Sequence, residues 1–136
     1  MQTIRPEVHP SEKANHVRIA EILETLKPSG ILRAPKVILG INEYITEVVD
    51  RRSPLWYQHV WESITPDVQK LYIDILKNSI HTLAQENFFL RGVEVYLQMD
   101  GTLRMINFSK VHHTKSDVTI LDLSKMLPLS ILDTSY

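Results

Sequence analysis

The chain has 136 residues, 43% of them hydrophobic and 23% charged, with a formal net charge of −1 and no cysteine. One domain with a single core fits this length, and the near-neutral charge gives no broad attraction to nucleic acid or to an anionic membrane surface. The lack of cysteine excludes a disulfide framework and a thiolate metal site, and no apolar run reaches the roughly 20 residues that span a bilayer.

Residues 1–10 hold two prolines, Pro6 and Pro10, and read as an extended arm. The opening MQTIRPEVHPSEK has no apolar leader core. With the missing cysteines, this leads us to expect an intracellular, cytoplasmic protein. Ser11 suits a helix N-cap with Glu12 in the first turn. Ile19, Ile22, Leu23 and Leu26 then recur at helical spacing, and Lys27-Pro28-Ser29-Gly30 stops the helix, which spans about 12–27. Residues 31–39 and 43–49 are rich in β-branched residues and are separated by Gly40-Ile41-Asn42, so they predict two strands with a short turn. Pro35 makes the first an edge strand or an irregular one. Residues 50–54 form a polar connection. Residues 55–62, LWYQHVWE, predict a short amphipathic helix.

Thr65-Pro66-Asp67 is a strong helix start, with Thr65 as N-cap and Pro66 at the first helical position. Val68, Leu71, Tyr72, Ile75, Leu76 and Leu83 form one apolar stripe over a helix at about 66–86. Alternation at 93–108 predicts a hairpin with Val93, Val95 and Leu97 on one face and Leu103, Met105 and Asn107 on the returning strand. Asp100-Gly101 is a favoured pair for a two-residue loop. After residue 110 the chain turns apolar late, at Leu123, Met126, Leu127, Leu129, Ile131 and Leu132, and Pro128 is expected to end one strand or short helix. This segment can cap the core or pair with another chain.

The order of helix, two strands, connection, short helix, long helix and hairpin, ending at Asn107-Phe108-Ser109, resembles the middle of the protein kinase fold. The predicted class is therefore α+β, a truncated kinase-like arrangement in one domain over 1–136. Residues 1–10 would be an arm, 11–50 a small-lobe-like part, 51–110 a large-lobe-like part and 111–136 a capping or interaction segment. By this resemblance helix one stands for the regulatory helix, Glu47-Val48-Val49-Asp50 for the hinge between lobes, and Ile80-His81 for a common Leu-His pair. Asn107-Phe108-Ser109 takes the place of Asp-Phe-Gly. The catalytic triplet His-Arg-Asp falls on Asn87-Phe88-Phe89, so the proton-accepting Asp becomes Phe89. The Asn that helps hold a second magnesium falls on Glu94, and the magnesium-binding Asp on Asn107, a neutral amide and a poor ligand for a hard cation. Ten residues before helix one cannot supply both the Gly-rich loop and the Lys-bearing strand. The 26 residues after 110 cannot supply the later helices of the large lobe.

The resemblance implies no catalytic residue, no cofactor, no metal and no enzyme activity. It implies a pseudokinase-like protein-binding module that mimics a kinase surface and inhibits or redirects a kinase or a kinase regulator, as a host-interaction effector would. Trp56, Tyr57 and Trp61 near Arg51 and Arg52 have hot-spot composition, and Leu127, Ile131 and Leu132 are further candidate contacts. A competing reading is a small α+β structural or assembly subunit that homo-oligomerises through the C-terminal segment. A third is an unfamiliar enzyme using Glu94, Asp100 and the His112-His113 pair. The six histidines lack metal-ligand spacing and read as solvated. Tyr96-Leu97-Gln98-Met99 looks like a linear phosphotyrosine motif, but inside a strand it reads as structural. Arg51, Arg52, Lys110, His112, His113 and Lys115 can make a small basic surface, against a default reading as a solvated face.

Overall fold

The computed structural model describes residues 2–6, 10–39, 43–108, 110–113, 123–128 and 130–131. Among these, three helices and two three-stranded sheets make an α+β fold.

Residues 2–6, expected as a loose arm, form strand β1 (Gln2–Pro6). It is a short strand closed by a proline, and its partner lies far along the chain, with Gln2 opposite Glu47 and Pro6 opposite Glu43, so local pattern gives little warning of it. Helix α1 (Pro10–Glu24) begins at Pro10, whose missing N–H costs nothing in a first turn. Ser11 therefore lies inside the helix instead of capping it. Beyond Glu24, the Thr25 amide and hydroxyl both donate to the Ile22 carbonyl, at 3.0 and 2.6 Å, and close the last turn. Ile19, Ile22, Leu23 and Leu26 are buried as expected, joined on that face by Asn15 and His16. The helix rests on β2 and α3.

The stretch 31–39 is not one strand. Pro35 has no donor for a ladder, and the chain divides into β2 (Leu32–Arg33) and β3 (Val37–Leu39), which join different sheets. The Pro35 carbonyl instead accepts a hydrogen bond from His16 Nε2 at 2.8 Å. The expected turn at 40–42 lies outside the described residues. Strand β4 (Glu43–Glu47) is the centre of an antiparallel sheet ordered β1-β4-β3, with Gln2 opposite Glu47 and Val37 opposite Thr46.

Helix α2 (Gln58–Glu62) starts later than expected, because Leu55 is fully buried beside the hairpin and its amide donates to the Val95 carbonyl at 3.0 Å. Helix α3 (Pro66–Gln85) matches its prediction, with Tyr72, Ile75, Leu76 and Leu83 buried. Thr65 takes the N-cap position, but its hydroxyl makes no cap hydrogen bond; its carbonyl accepts the Gln69 amide at 2.9 Å.

Strands β5 (Glu94–Leu97) and β6 (Leu103–Ile106) form the expected hairpin, and β6 also pairs in parallel with β2, giving a mixed sheet ordered β2-β6-β5. The loop is one residue longer than predicted. The Gln98 amide donates to the Thr102 carbonyl at 2.8 Å and the Gly101 amide donates to the Gln98 carbonyl at 3.1 Å, so Met99-Asp100 form the turn and Gly101, at φ +85°, is the left-handed residue after it. The Tyr72 hydroxyl donates to the Gly101 carbonyl and ties α3 to this loop.

The core joins α1, α3, the second sheet and the C-terminal turn, where Leu123, Met126 and Leu127 are buried. The Lys125 carbonyl accepts the Val95 amide at 2.9 Å. Pro128 does not end the segment cleanly: the Ile131 amide still donates back to its carbonyl at 2.9 Å. Among the described residues, no helix is long and apolar enough to cross a membrane.

Candidate functional site

Two regions collect the sequence candidates. The first is the end of the hairpin, where β6 leaves the sheet at Asn107. This residue has φ +72°, in the left-handed region that asparagine tolerates better than most residues. Its Nδ2 donates to the Gly92 carbonyl at 2.9 Å and to Glu94 Oε2 at 3.3 Å. The other oxygen of Glu94 accepts the Tyr96 hydroxyl at 2.6 Å. Burial and this hydrogen bond to the Glu94 carboxylate push the Tyr96 hydroxyl up to about 12. Asn107 and Glu94, at the two positions where the resemblance expects magnesium ligands, are thus bound to each other. Phe89 exchanges both backbone hydrogen bonds with His112, at 2.8 and 3.0 Å, and brings no proton acceptor.

Around these positions the packing is apolar. Phe108 is buried, and its ring meets the edge of His16 at 5.1 Å, so α1 touches the chain just beyond Asn107. Phe88 and Leu90 are buried at the exit from α3, and Phe88 meets the His113 ring at 5.2 Å. His112 Nε2 lies 3.2 Å from Arg91 Nη1. Ser109 lies outside the described residues.

Glu94, Asp100 and the His112-His113 pair do not assemble as an acid–base set. Asp100 sits at the hairpin tip, where the Thr102 amide and hydroxyl donate to it at 3.0 and 2.6 Å and hold its carboxyl below the usual range. Glu94 is at the opposite end of β5. His16 is buried, His59 and His81 are exposed, and His9 lies outside the described residues. Among the described residues, no group of three His, Asp or Glu side chains is placed to hold a metal ion.

The second region is the connection 48–57 together with the hairpin tip. Asp50 and Arg52 form a bidentate pair, at 3.0 and 2.9 Å, which holds the Asp50 carboxyl down at about 2 and raises the Arg52 guanidinium. Arg52 Nη2 also reaches Met99 Sδ at 3.2 Å. Arg51 lies 6.0 Å from the centre of the Tyr96 ring, which Trp56 meets edge-on at 5.2 Å; Tyr57 in turn meets Trp56 at 5.7 Å. A shallow pocket of about 430 Å³ lies between Asp50, Arg52, Ser53, Leu97, Gln98 and Met99. Val48, Tyr57 and Met99, at 43%, 48% and 87% exposure, are the large hydrophobic side chains that stand out into solvent among the described residues, and all three belong to this region.

Of the expected contact residues, Arg51, Arg52, Trp56 and Tyr57 are at this surface. Trp61 and Leu127 are corrected to core residues, at 3% and 4% exposure, and Ile131 packs partly buried against the core. Leu132 lies outside the described residues. Sequence reasoning missed Val48 and Met99. The signal for Met99 was present: an apolar residue directly before Asp100-Gly101 must sit in a turn, where it has little to pack on. No protein-family model and no curated protein matches the chain.

Proposed function

We propose that the chain is a non-catalytic, pseudokinase-like protein-binding module. Its partner is another protein, a kinase or a regulator of one, and it meets that partner through the exposed face of residues 48–57 and the hairpin tip. The observation that carries the loss of chemistry is the mutual bond between Asn107 and Glu94, with Phe89 locked to His112 beside them. The amide nitrogen of Asn107 and both oxygens of Glu94 are already engaged in hydrogen bonds within the protein. The kinase-like shape draws support from the order of elements: α1 lies beside β2, strands β3 and β4 follow, a connection runs at 48–57, and a long helix leads into the hairpin. Strand β1 adds to this, because it precedes α1 and joins the same sheet as β3 and β4, where the resemblance places the Lys-bearing strand.

The binding role draws support from composition. Arg, Trp, Tyr and Met are the residues enriched at interfaces, and here they concentrate on one stretch together with the large apolar groups that are exposed. Titration with ATP and Mg²⁺, read by thermal shift and phosphate transfer, tests the first half; Mg²⁺-dependent stabilisation together with transfer overturns it. Quantitative binding to a candidate kinase, compared between the native chain and Arg51→Ala or Tyr57→Ala, tests the second. A loss of roughly tenfold or more per variant is expected for a hot spot, and unchanged affinity in both removes this face from the interface.

A further inference from the structure

A groove of about 500 Å³ lies between α1 and the strands that follow it. This volume lies within the usual range of ligand sites, about 300–1,000 Å³. One wall is a single helical stripe, Val17, Ala20, Glu21 and Glu24, at spacings of three and four residues. The floor continues through Ala34 and Val37. The facing wall carries Arg33, Lys36 and Arg104, with Glu47 beside them.

The charges on the two walls are opposite, and several are unanswered. Arg104 is paired with Glu47 at 3.2 Å, and its side chain is only 14% exposed. Arg33 lies directly beside Arg104 in the pairing of β2 with β6, a like-charged neighbour on the adjacent strand. Glu21 is held by Arg18 at 3.2 Å. The side chains of Glu24, Arg33 and Lys36 form no ion pair among the described residues. The groove therefore offers a free carboxylate on one side, two free cations on the other, and small apolar side chains between them.

We infer that this groove is a binding site for a short peptide segment of a partner protein, one that carries a basic side chain towards Glu24 and an acidic side chain towards Arg33 and Lys36 across an apolar residue. The choice of a peptide rests on the protein-binding reading above; the charge pattern of the groove does not. An occupant of one sign would answer one wall and crowd the other with like charge, whereas a segment with both signs satisfies both.

The test uses the full chain and two end-blocked, fluorescein-labelled hexapeptides. Each has one lysine and one glutamate separated by alanine and leucine, in the two opposite orders. Two peptides of the same length, with two lysines or two glutamates at those positions, serve as controls. Fluorescence anisotropy at low salt is expected to give a Kd below about 1 mM for one mixed-charge peptide, with weaker binding as salt is raised. Glu24→Gln and Arg33→Gln should each weaken it about tenfold, while Lys77→Gln on the exposed side of α3 leaves it unchanged. Both residues are exposed, and thermal melts of the variants verify that they fold. Absence of binding by both mixed peptides overturns the inference. So does binding insensitive to both substitutions, or equal binding of a single-sign peptide. Binding to a partner protein that survives Arg33→Gln and Glu24→Gln would leave the protein-binding reading standing while removing the groove from it.

Discussion

Asn107 shows how one side chain can be read in two ways. By the kinase resemblance it stands where a metal-binding Asp would be expected; in the structure it is a donor whose amide closes the base of the hairpin on Gly92 and Glu94. Asn107→Asp, which introduces the residue that the kinase resemblance expects, is therefore expected to harm the protein. It removes a donor from the Gly92 carbonyl and sets a second carboxylate beside Glu94, at a cost of about 1–3 kcal/mol. The loss should be greatest near neutral pH, where both acids are ionised, and urea unfolding at pH 4 and pH 7 measures it. Tyr96 gives a second signature. Its folded value of about 12 lies above the ordinary 10, so its contribution to stability is present below pH 10 and is lost as pH rises through 12. Absorbance titration of tyrosinate should show a late step near pH 12 that Tyr96→Phe abolishes. Asp50 behaves in the opposite sense. Its value falls from 3.8 to about 2, so its contribution holds above pH 4 and fades as pH drops towards 2. Asp50→Asn should flatten the dependence of the melting temperature on pH in that window. Among the glycines, Gly101 has φ +85° with open space where a side chain would sit, so Gly101→Ala should cost about 1 kcal/mol from backbone strain alone, as read by thermal melting.

The elements differ in how far local sequence announced them. Helix α3 and the hairpin were legible because each writes its own period over enough residues: Tyr72, Ile75, Leu76 and Leu83 at helical spacing, and Val93 and Val95 alternating into the core. The loop between β5 and β6 was misjudged by one residue, because Asp-Gly serves both a two-residue turn and the end of a three-residue one, and side-chain pattern does not separate them. Strand β1 was missed because five residues ending in proline have no period to show and gain their partners only from β4, far along the chain. The division of 31–39 was half visible: Pro35 announced the break, but nothing local said that its two halves would enter different sheets. In the candidate site, the departures from the kinase pattern expected at Phe89, Glu94 and Asn107 could be listed from sequence, yet the bond between Asn107 and Glu94 depends on a hairpin register that only the fold supplies. The surface face was half legible. Arg51, Arg52, Trp56 and Tyr57 were found by composition, but the same composition drew in Trp61, whose place on the inner side of a short helix buries it.

The whole molecule is built so that distant segments complete one core. Leu123, Met126 and Leu127 come from the C-terminal turn, and the Lys125 carbonyl takes a hydrogen bond from the central hairpin. Burying three such side chains contributes about 5–9 kcal/mol, comparable to the entire stability of a typical domain. Removal of residues 123–136 is therefore expected to abolish cooperative thermal unfolding, as calorimetry would show. The connection between the first sheet and α2 has a further consequence. Gln98 exchanges hydrogen bonds with the backbone of Asp50 at 3.2 and 3.0 Å, and Ser53 and Leu55 add two more along the outer edge of β5, at 2.9 and 3.0 Å. Pro54, opposite Tyr96, has no N–H to offer outward. A strand edge sealed in this way cannot recruit a second chain into a growing ladder. The connection that leads from the first sheet to α2 is thereby fastened along the hairpin of the second sheet, and this edge of β5 is closed to a further strand.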